Sequence, residues 1–273
     1  MSPLKITLIQ SSLHWQDKDA NILRFEEKIK SIKEPIHIIV LPEMFTTGFS
    51  MEAKSLAEPM NGSTMQWMKR MAKEHRCILT GSIIIQENGR YYNRLIWMQP
   101  DGNYGFYDKR HLFANAGEDK HYECGHKRFI ASVNGWKINL MICYDLRFPV
   151  WARQQANEEG GYEYDVLIYI ANWPDKRNHA WKTLLQARAI ENQCYAIGVN
   201  RVGEDANGHH YSGNSMAVDP LGEVLYHKEH EEDVYTVTFQ RQHLNAVREK
   251  LPFLHEADPF LIIQPSPERY PDA

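Results

Sequence analysis

The sequence predicts an α/β fold. Strand-like and helix-like segments alternate along the chain, and several of the strands are apolar at every position, as in a sheet covered on both faces. The 273 residues allow one large domain or two small ones, with ample core either way. No linker is long enough to split the chain, and no repeat recurs at a period of roughly 20–50 residues.

Taken in order, residues 5–9 read as a first strand, in a start (MSPLKITLIQ) whose apolar part is too short for a signal peptide. Residues 17–32 carry Ile22, Phe25, Ile29 and Ile32 at helical spacing, and Pro35 ends that region. Residues 36–41 (IHIIVL) are an apolar run of strand length, followed at once by Pro42 and Glu43. A helix over 62–75 puts Met65, Met68, Met71 and Ala72 on one face, a stripe that reads as core filling. Strands at 77–85 and 91–99 flank Asn88-Gly89, a hairpin signal, and Asp101-Gly102 turns the chain into a short strand at 104–107. Residues 108–125 are polar and lack periodicity, which suits a long functional loop.

Strands at 128–133 and 136–143 pair around Asn134-Gly135. A helix is expected at 147–157, then a surface connection at Glu158-Glu159-Gly160-Gly161. Residues 165–171 (DVLIYIA) form another fully apolar strand, and 179–192 a helix with Trp181, Leu184, Leu185 and Arg188 on one side. Strands follow at 194–200, 215–218, 224–226 and 234–239, with a last helix at 240–250. Residues 1–250 are read as one domain and 251–273 as a C-terminal extension, extended or disordered from Pro265. Both halves share a coarse order of strand, helix and strand, a hint of internal pseudo-symmetry.

The formal charge of −4 mixes both signs, with no basic block for nucleic acid. No apolar run reaches the roughly 18 residues that cross a bilayer, so neither nucleic acid nor membrane is expected as a partner. The cysteines, Cys77, Cys124, Cys143 and Cys194, form no CxxC pair, which fits reduced thiols in the cytoplasm. HExxH is absent among the 13 histidines; Cys124-x-His126 and His209-His210 are isolated pairs, and no metal or cofactor is expected.

Three predicted strands end on a polar or reactive group where the apolar run stops: Leu41-Pro42 leads to Glu43, Ile142 to Cys143, and Ala171 to Asn172-Trp173. Ligands of open α/β sheets bind beyond such strand ends. The turn Tyr144-Asp145-Leu146-Arg147-Phe148-Pro149 would lift the Cys143 sulfur above the sheet edge, as a nucleophile elbow lifts its hydroxyl. A thiol with its ordinary pKa of about 8.5 is only slightly ionised near neutrality, so it needs a base and a cation. Glu43 and Lys109 suit those roles, and Lys109 with the Tyr144 N–H suits an oxyanion on a carbonyl under attack. Taken singly, Cys143 also reads as a buried small hydrophobe, Glu43 as a loop carboxylate and Lys109 as a surface cation. A cysteine–histidine protease stays open on spacing alone.

Taken together, five motifs in order resemble the nitrilase superfamily, the carbon–nitrogen hydrolases. They are Leu41-Pro42-Glu43-Met44-Phe45, Tyr107-Asp108-Lys109-Arg110-His111-Leu112-Phe113, the run from Cys143 to Pro149, Asn172-Trp173-Pro174, and Arg188-Ala189-Ile190-Glu191-Asn192-Gln193. The runs Asp108 to Phe113, Ala171 to Pro174 and Arg248-Glu249-Lys250 resemble the bacterial ω-amidase branch. The resemblance implies a four-layer αββα sandwich that dimerises into an eight-layer stack. It implies Glu43 as general base, Lys109 as stabiliser of the oxyanion, Cys143 as nucleophile, and a second glutamate that orients Lys109. Glu118 lies seven residues before Gly125, as that glutamate precedes its glycine; Glu123 is the rival.

The branch implies hydrolysis of the terminal amide of small anionic 2-oxo acids, such as 2-oxoglutaramate or 2-oxosuccinamate, through a cysteine thioester. An anionic substrate needs a cation away from the thiol, and Arg177 is the candidate clamp. Arg147 reads as structural, tying the elbow helix. Trp173, Phe113 and Phe49 are candidate pocket walls, with Asn172 beside them. The alternatives are a carbon–nitrogen hydrolase for a nitrile, an N-carbamoyl group or another amide, and a thiol redox sensor or binding protein.

Overall fold

The computed structural model describes residues 2–155 and 161–263. In chain order the elements are β1 (Leu4–Gln10), α1 (Lys18–Ser31), β2 (Ile38–Val40), α2 (Ala53–Leu56), α3 (Ser63–His75), β3 (Ile78–Glu87), β4 (Arg90–Met98) and β5 (Tyr104–Asp108). There follow β6 (Ile130–Val133), β7 (Trp136–Ile142), α4 (Pro149–Ala152), β8 (Val166–Ile170), α5 (Asn178–Glu191), β9 (Tyr195–Val199), β10 (Val202–Glu204), β11 (His210–Val218), β12 (Val224–Glu229), β13 (Asp233–Phe239) and α6 (Arg241–Lys250). The surface connection expected at 158–161 and the tail from Pro265 lie outside the described residues, save Gly161.

Two sheets result. The first has the order β13-β1-β2-β3-β4-β5; the second has β10-β11-β9-β8-β7-β6, with β12 beside β11. In each, three consecutive parallel strands joined through helices form the centre: β1, β2 and β3, then β7, β8 and β9. The hint of pseudo-symmetry therefore has a topological counterpart.

The alternation of side chains explains the layers. On β1, β2 and β4, residues Leu4, Ile6, Leu8, Ile38, Val40, Leu95 and Trp97 join the core that includes the second sheet. Their neighbours Ile9, Ile39, Ile96 and Met98 face the other way, onto Phe25 and Ile29 of α1 and Met65, Met68 and Met71 of α3. The methionine stripe is core filling. Beyond the second sheet, α5 contributes Trp181, Leu185 and Ala189 to the core. The order is helices, sheet, sheet, helices, the four layers expected.

Local chemistry sets the ends. Asp17 caps α1 by accepting from the Ala20 N–H at 3.0 Å. Asn88 and Gly89 sit at φ 51° and 76°, as a two-residue hairpin turn requires. One helix differs from expectation. In place of a helix at 147–157 there is a 3-10 turn, Cys143–Arg147, then the single turn α4. Past Ala152 the Gln154 N–H donates to Asn192 Oδ1 at 3.0 Å and the Gln155 N–H to Glu163 Oε2 at 3.0 Å, so tertiary bonds replace helical ones. Strand β11 begins five residues earlier than the strand expected at 215, through polar positions that carry no strand pattern.

Candidate active site

Strand direction brings the site together. Strand β5 is antiparallel to β4, which is antiparallel to β3, which is parallel to β2. Hence β2 and β5 point the same way, and Glu43 and Lys109 follow their ends. Across the sheet–sheet interface, β7 and β8 end on Cys143 and, two residues on, Asn172.

Glu43 and Lys109 are buried in direct contact. The Lys109 ammonium donates to Glu43 Oε1 at 2.9 Å and to both oxygens of Glu118 at 2.9 Å. It also lies 5.0 Å from the centre of the Phe49 ring. Glu118 accepts from the Phe113 N–H at 2.6 Å. Glu123 instead is exposed and faces Arg90 at 3.9 Å. The loop at 108–125 is thus ordered around Lys109, in two 3-10 turns, Ala114–Ala116 and Glu118–Lys120. The Gly125 N–H closes it by donating to the Lys109 carbonyl at 2.9 Å, and a Cβ at Gly125 would lie 2.1 Å from the Asp108 carbonyl oxygen.

Cys143 opens the elbow turn at φ 42°, a left-handed conformation rare outside glycine. Its sulfur lies 4.0 Å from the Asn172 carbonyl oxygen. Burial pushes its thiol pKa well up; the Glu43 charge adds to the rise and Lys109 opposes it. For Lys109 burial favours loss of the proton, but Glu118 and Glu43 outweigh it and the ammonium is held above its ordinary value. Burial raises Glu118, with Lys109 pulling against it.

Two residues with no mark in the sequence hold the acids. Asn93, inside β4, donates to Glu43 Oε1 at 2.8 Å and to Glu118 Oε1 at 3.3 Å. Asn200 accepts from the Trp173 N–H at 2.8 Å and donates to the Trp173 carbonyl at 2.9 Å. That fixes the segment in which the Asn172 N–H donates to Glu43 Oε2 at 2.8 Å. Asn93 lies within its strand and Asn200 just past β9, and nothing in the sequence around either marks it.

Cys143 and Lys109 line a cavity of about 680 Å³, with Tyr144, Asn172, Trp173, Phe113, Phe49 and Arg177 among its walls. Arg147 lines it too, which corrects the reading of that side chain as a tie for the elbow helix. Arg147 is exposed, 4.9 Å from the centre of the Trp173 ring, and Arg188 makes the tie instead, donating to the Leu146 carbonyl at 2.6 Å. Arg177 lies 5.2 Å from the Phe113 ring centre. Among the described residues neither Arg147 nor Arg177 is in an ion pair. A thiol, an ammonium and two guanidiniums in the lining of one cavity, with the Glu43 carboxylate buried against the ammonium, can bind an anion and attack its carbonyl.

A family model described as carbon-nitrogen hydrolase matches residues 5–249. The chain is 44% identical over 264 residues to omega-amidase YafV of Yersinia enterocolitica, which covers 96% of this chain and 100% of that protein. It is 32% identical over 250 residues to 2-oxoglutaramate amidase of Bacillus subtilis (strain 168), covering 90% and 95% respectively. Among solved structures, that of XC1258 from Xanthomonas campestris, a CN-hydrolase superfamily protein with an arsenic adduct in the active site, superposes with a TM-score of 0.94. That protein is 39% identical, over 96% of this chain and 100% of the other.

Proposed function

The chain belongs to the carbon–nitrogen hydrolase family, and on that footing we propose that it is an ω-amidase, cleaving the terminal amide of a small 2-oxo acid such as 2-oxoglutaramate or 2-oxosuccinamate. The supporting observation is one cavity that joins Cys143, next to the Glu43–Lys109 pair, to the guanidiniums of Arg147 and Arg177.

In this reading the Cys143 proton passes to Glu43 as sulfur attacks the amide carbon. The oxyanion is held by the Lys109 ammonium and the Tyr144 N–H. Glu43 returns the proton to the nitrogen, the C–N bond breaks, and ammonia leaves a thioester on Cys143. Glu43 then takes a proton from water, whose oxygen attacks the thioester, and the acid departs as the thiol re-forms. Glu118 and Asn93 keep Lys109 and Glu43 in place throughout. Arg177 takes the substrate carboxylate, helped by Arg147, while Trp173, Phe113 and Phe49 bound the length of the chain between carboxylate and amide.

We further propose a homodimer in the cytoplasm. Ile190 on α5 is 51% exposed, it packs against Gly222, and Leu221, next to Gly222 in sequence, is 48% exposed, an apolar surface suited to a second copy. All four cysteines are free thiols, in keeping with a reducing compartment.

Ammonia release by the purified protein from a panel tests the substrate reading. The panel holds 2-oxoglutaramate, 2-oxosuccinamate, an uncharged amide of equal length, a nitrile and an N-carbamoyl amino acid, with Cys143→Ala as control. The two 2-oxo acid amides are expected to have the highest kcat/KM. Preference for the nitrile or carbamoyl compound would replace the substrate and keep the family chemistry.

A further inference from the structure

We infer that Asp145 is a positioning residue that sets the Cys143 thiol against the Lys109 ammonium, anchored by Tyr107 and His111 on the segment that carries the lysine. The inference rests on Cys143 as the nucleophile. Asp145 is fully buried and is not among the cavity walls, so it is no catalytic residue.

Its hydrogen bonds divide between the two sheets. From the lysine side, the Tyr107 hydroxyl donates to Oδ2 at 2.7 Å, while the His111 N–H and Nδ1–H donate to Oδ1 at 3.0 and 2.7 Å. Those two residues stand two positions before and two after Lys109. From the elbow side, the Ile142 N–H donates to Oδ2 at 3.1 Å. Ile142 precedes Cys143 directly, and Asp145 itself lies two residues beyond it. One carboxylate, two residues past the nucleophile, thus ties the residues two before and two after the lysine to the residue that precedes the nucleophile.

The anchors are themselves held. The Tyr107 oxygen accepts from Trp151 Nε1 at 2.9 Å and from the Arg110 N–H at 3.2 Å, which leaves its own proton for Asp145. Burial, then the Asp145 charge, keeps that hydroxyl protonated far above the ordinary tyrosine range. The His111 ring stacks on Phe148, centroids 3.7 Å apart and planes within 4°, which aims Nδ1 at Asp145; a carboxylate only accepts, so Nδ1 carries the proton. Stability alone does not account for this arrangement. A buried carboxylate carries a desolvation cost that an apolar contact between the sheets would not. A left-handed Cys143 held by its surroundings is what the carboxylate supplies.

Asp145→Asn, Tyr107→Phe and His111→Gln test this in the full chain. Each is measured for kcat and KM on 2-oxoglutaramate, for melting temperature, and for the pH profile of iodoacetamide alkylation read on the Cys143 peptide. A sub-ångström to ångström displacement of reacting groups costs up to about 10²-fold in rate, so Asp145→Asn is expected to lose about that in kcat with KM within about threefold. Its alkylation profile is expected to shift, because Lys109 and Glu43 then act on the sulfur from different distances. The two anchor variants are expected to lose less, and to be less than multiplicative together. A folded Asp145→Asn with kcat within about twofold of wild type and an unmoved alkylation profile overturns the inference. Should Asp145→Asn fail to fold, His111→Gln decides, at a half-buried edge: lower kcat at unchanged KM and melting temperature supports positioning, and unchanged kcat overturns it. Ammonia release by Cys143→Ala would remove the nucleophile reading itself, a separate result.

Discussion

Burial and the Glu43 charge both push the Cys143 thiol pKa up, and Lys109 opposes them. In the proposed mechanism the proton leaves during attack, which makes Glu43 the group to test. Glu43→Gln should lower kcat by about 10²–10⁴-fold, the usual worth of a positioned base. The same change removes a negative charge beside the sulfur, so the thiol pKa should fall and alkylation of Cys143 should reach half-maximum at lower pH. Opposite movements of turnover and alkylation separate a base from a residue that merely supports the fold. For the guanidiniums, loss of a charge-assisted hydrogen bond is worth roughly tenfold or more. Arg177→Ala and Arg147→Ala should each raise KM for 2-oxoglutaramate by about that factor and leave an uncharged amide within about twofold. Equal effects on both substrates would remove the clamp.

Elements carry the second kind of prediction. Helix α3 starts after Gly62, which has no side chain to cap it. Glu58 does so from outside the helix, accepting from the Thr64 N–H at 2.9 Å and hydroxyl at 2.5 Å, with Lys18 at 3.2 Å. Burial opposes its ionisation, but those bonds and Lys18 prevail and its pKa falls below the ordinary glutamate value. The folded state therefore gains from Glu58 above an ordinary carboxyl pKa of about 4.3, and that gain is lost as pH falls through the lower folded value. Glu58→Ala should cost about 1–2 kcal/mol in urea unfolding at pH 7, with kcat unchanged, and less at pH 3. An equal cost at both pH values would mean that Glu58 acts by packing alone. Element by element, the apolar strands and the helical stripes of α1 and α3 are legible in the sequence, because burial dictates their periodicity. The helix expected after the elbow is not, because its backbone N–H groups at Gln154 and Gln155 are met by the Asn192 and Glu163 side chains.

For the molecule as a whole, the interior sets its response to alkali. Burial pushes Cys77 up to about 12 and drives Cys194, Tyr164 and Tyr169 well above their ordinary values. Groups raised in the folded state favour it at low pH, and the advantage is lost as pH climbs from the ordinary thiol value of about 8.5 toward the folded values. The melting temperature should fall steadily between about pH 8.5 and 11, and Cys194→Ala should flatten that fall; a flat wild-type profile would contradict it. The same scale explains which site residues the sequence marks. Glu43, Lys109 and Cys143 each follow a strand end, and strand direction is a property of the whole sheet, so the pattern brings Glu43 and Lys109 to one end of the first sheet and Cys143 to an end of the second. Asn93, Asn200 and the exposure of Arg147 depend on how two sheets face each other, which no local pattern records.

The central claim is that the sulfur of Cys143 carries the acyl group between loss of ammonia and arrival of water. Rapid quenching of the enzyme in acid during turnover of 2-oxoglutaramate, followed by mass analysis of the Cys143 peptide, tests it directly. The account predicts an acyl adduct on that peptide which forms with the first ammonia released, decays with acid formation, and is absent in Cys143→Ser. Full turnover with an unmodified Cys143 peptide at every time point would contradict it.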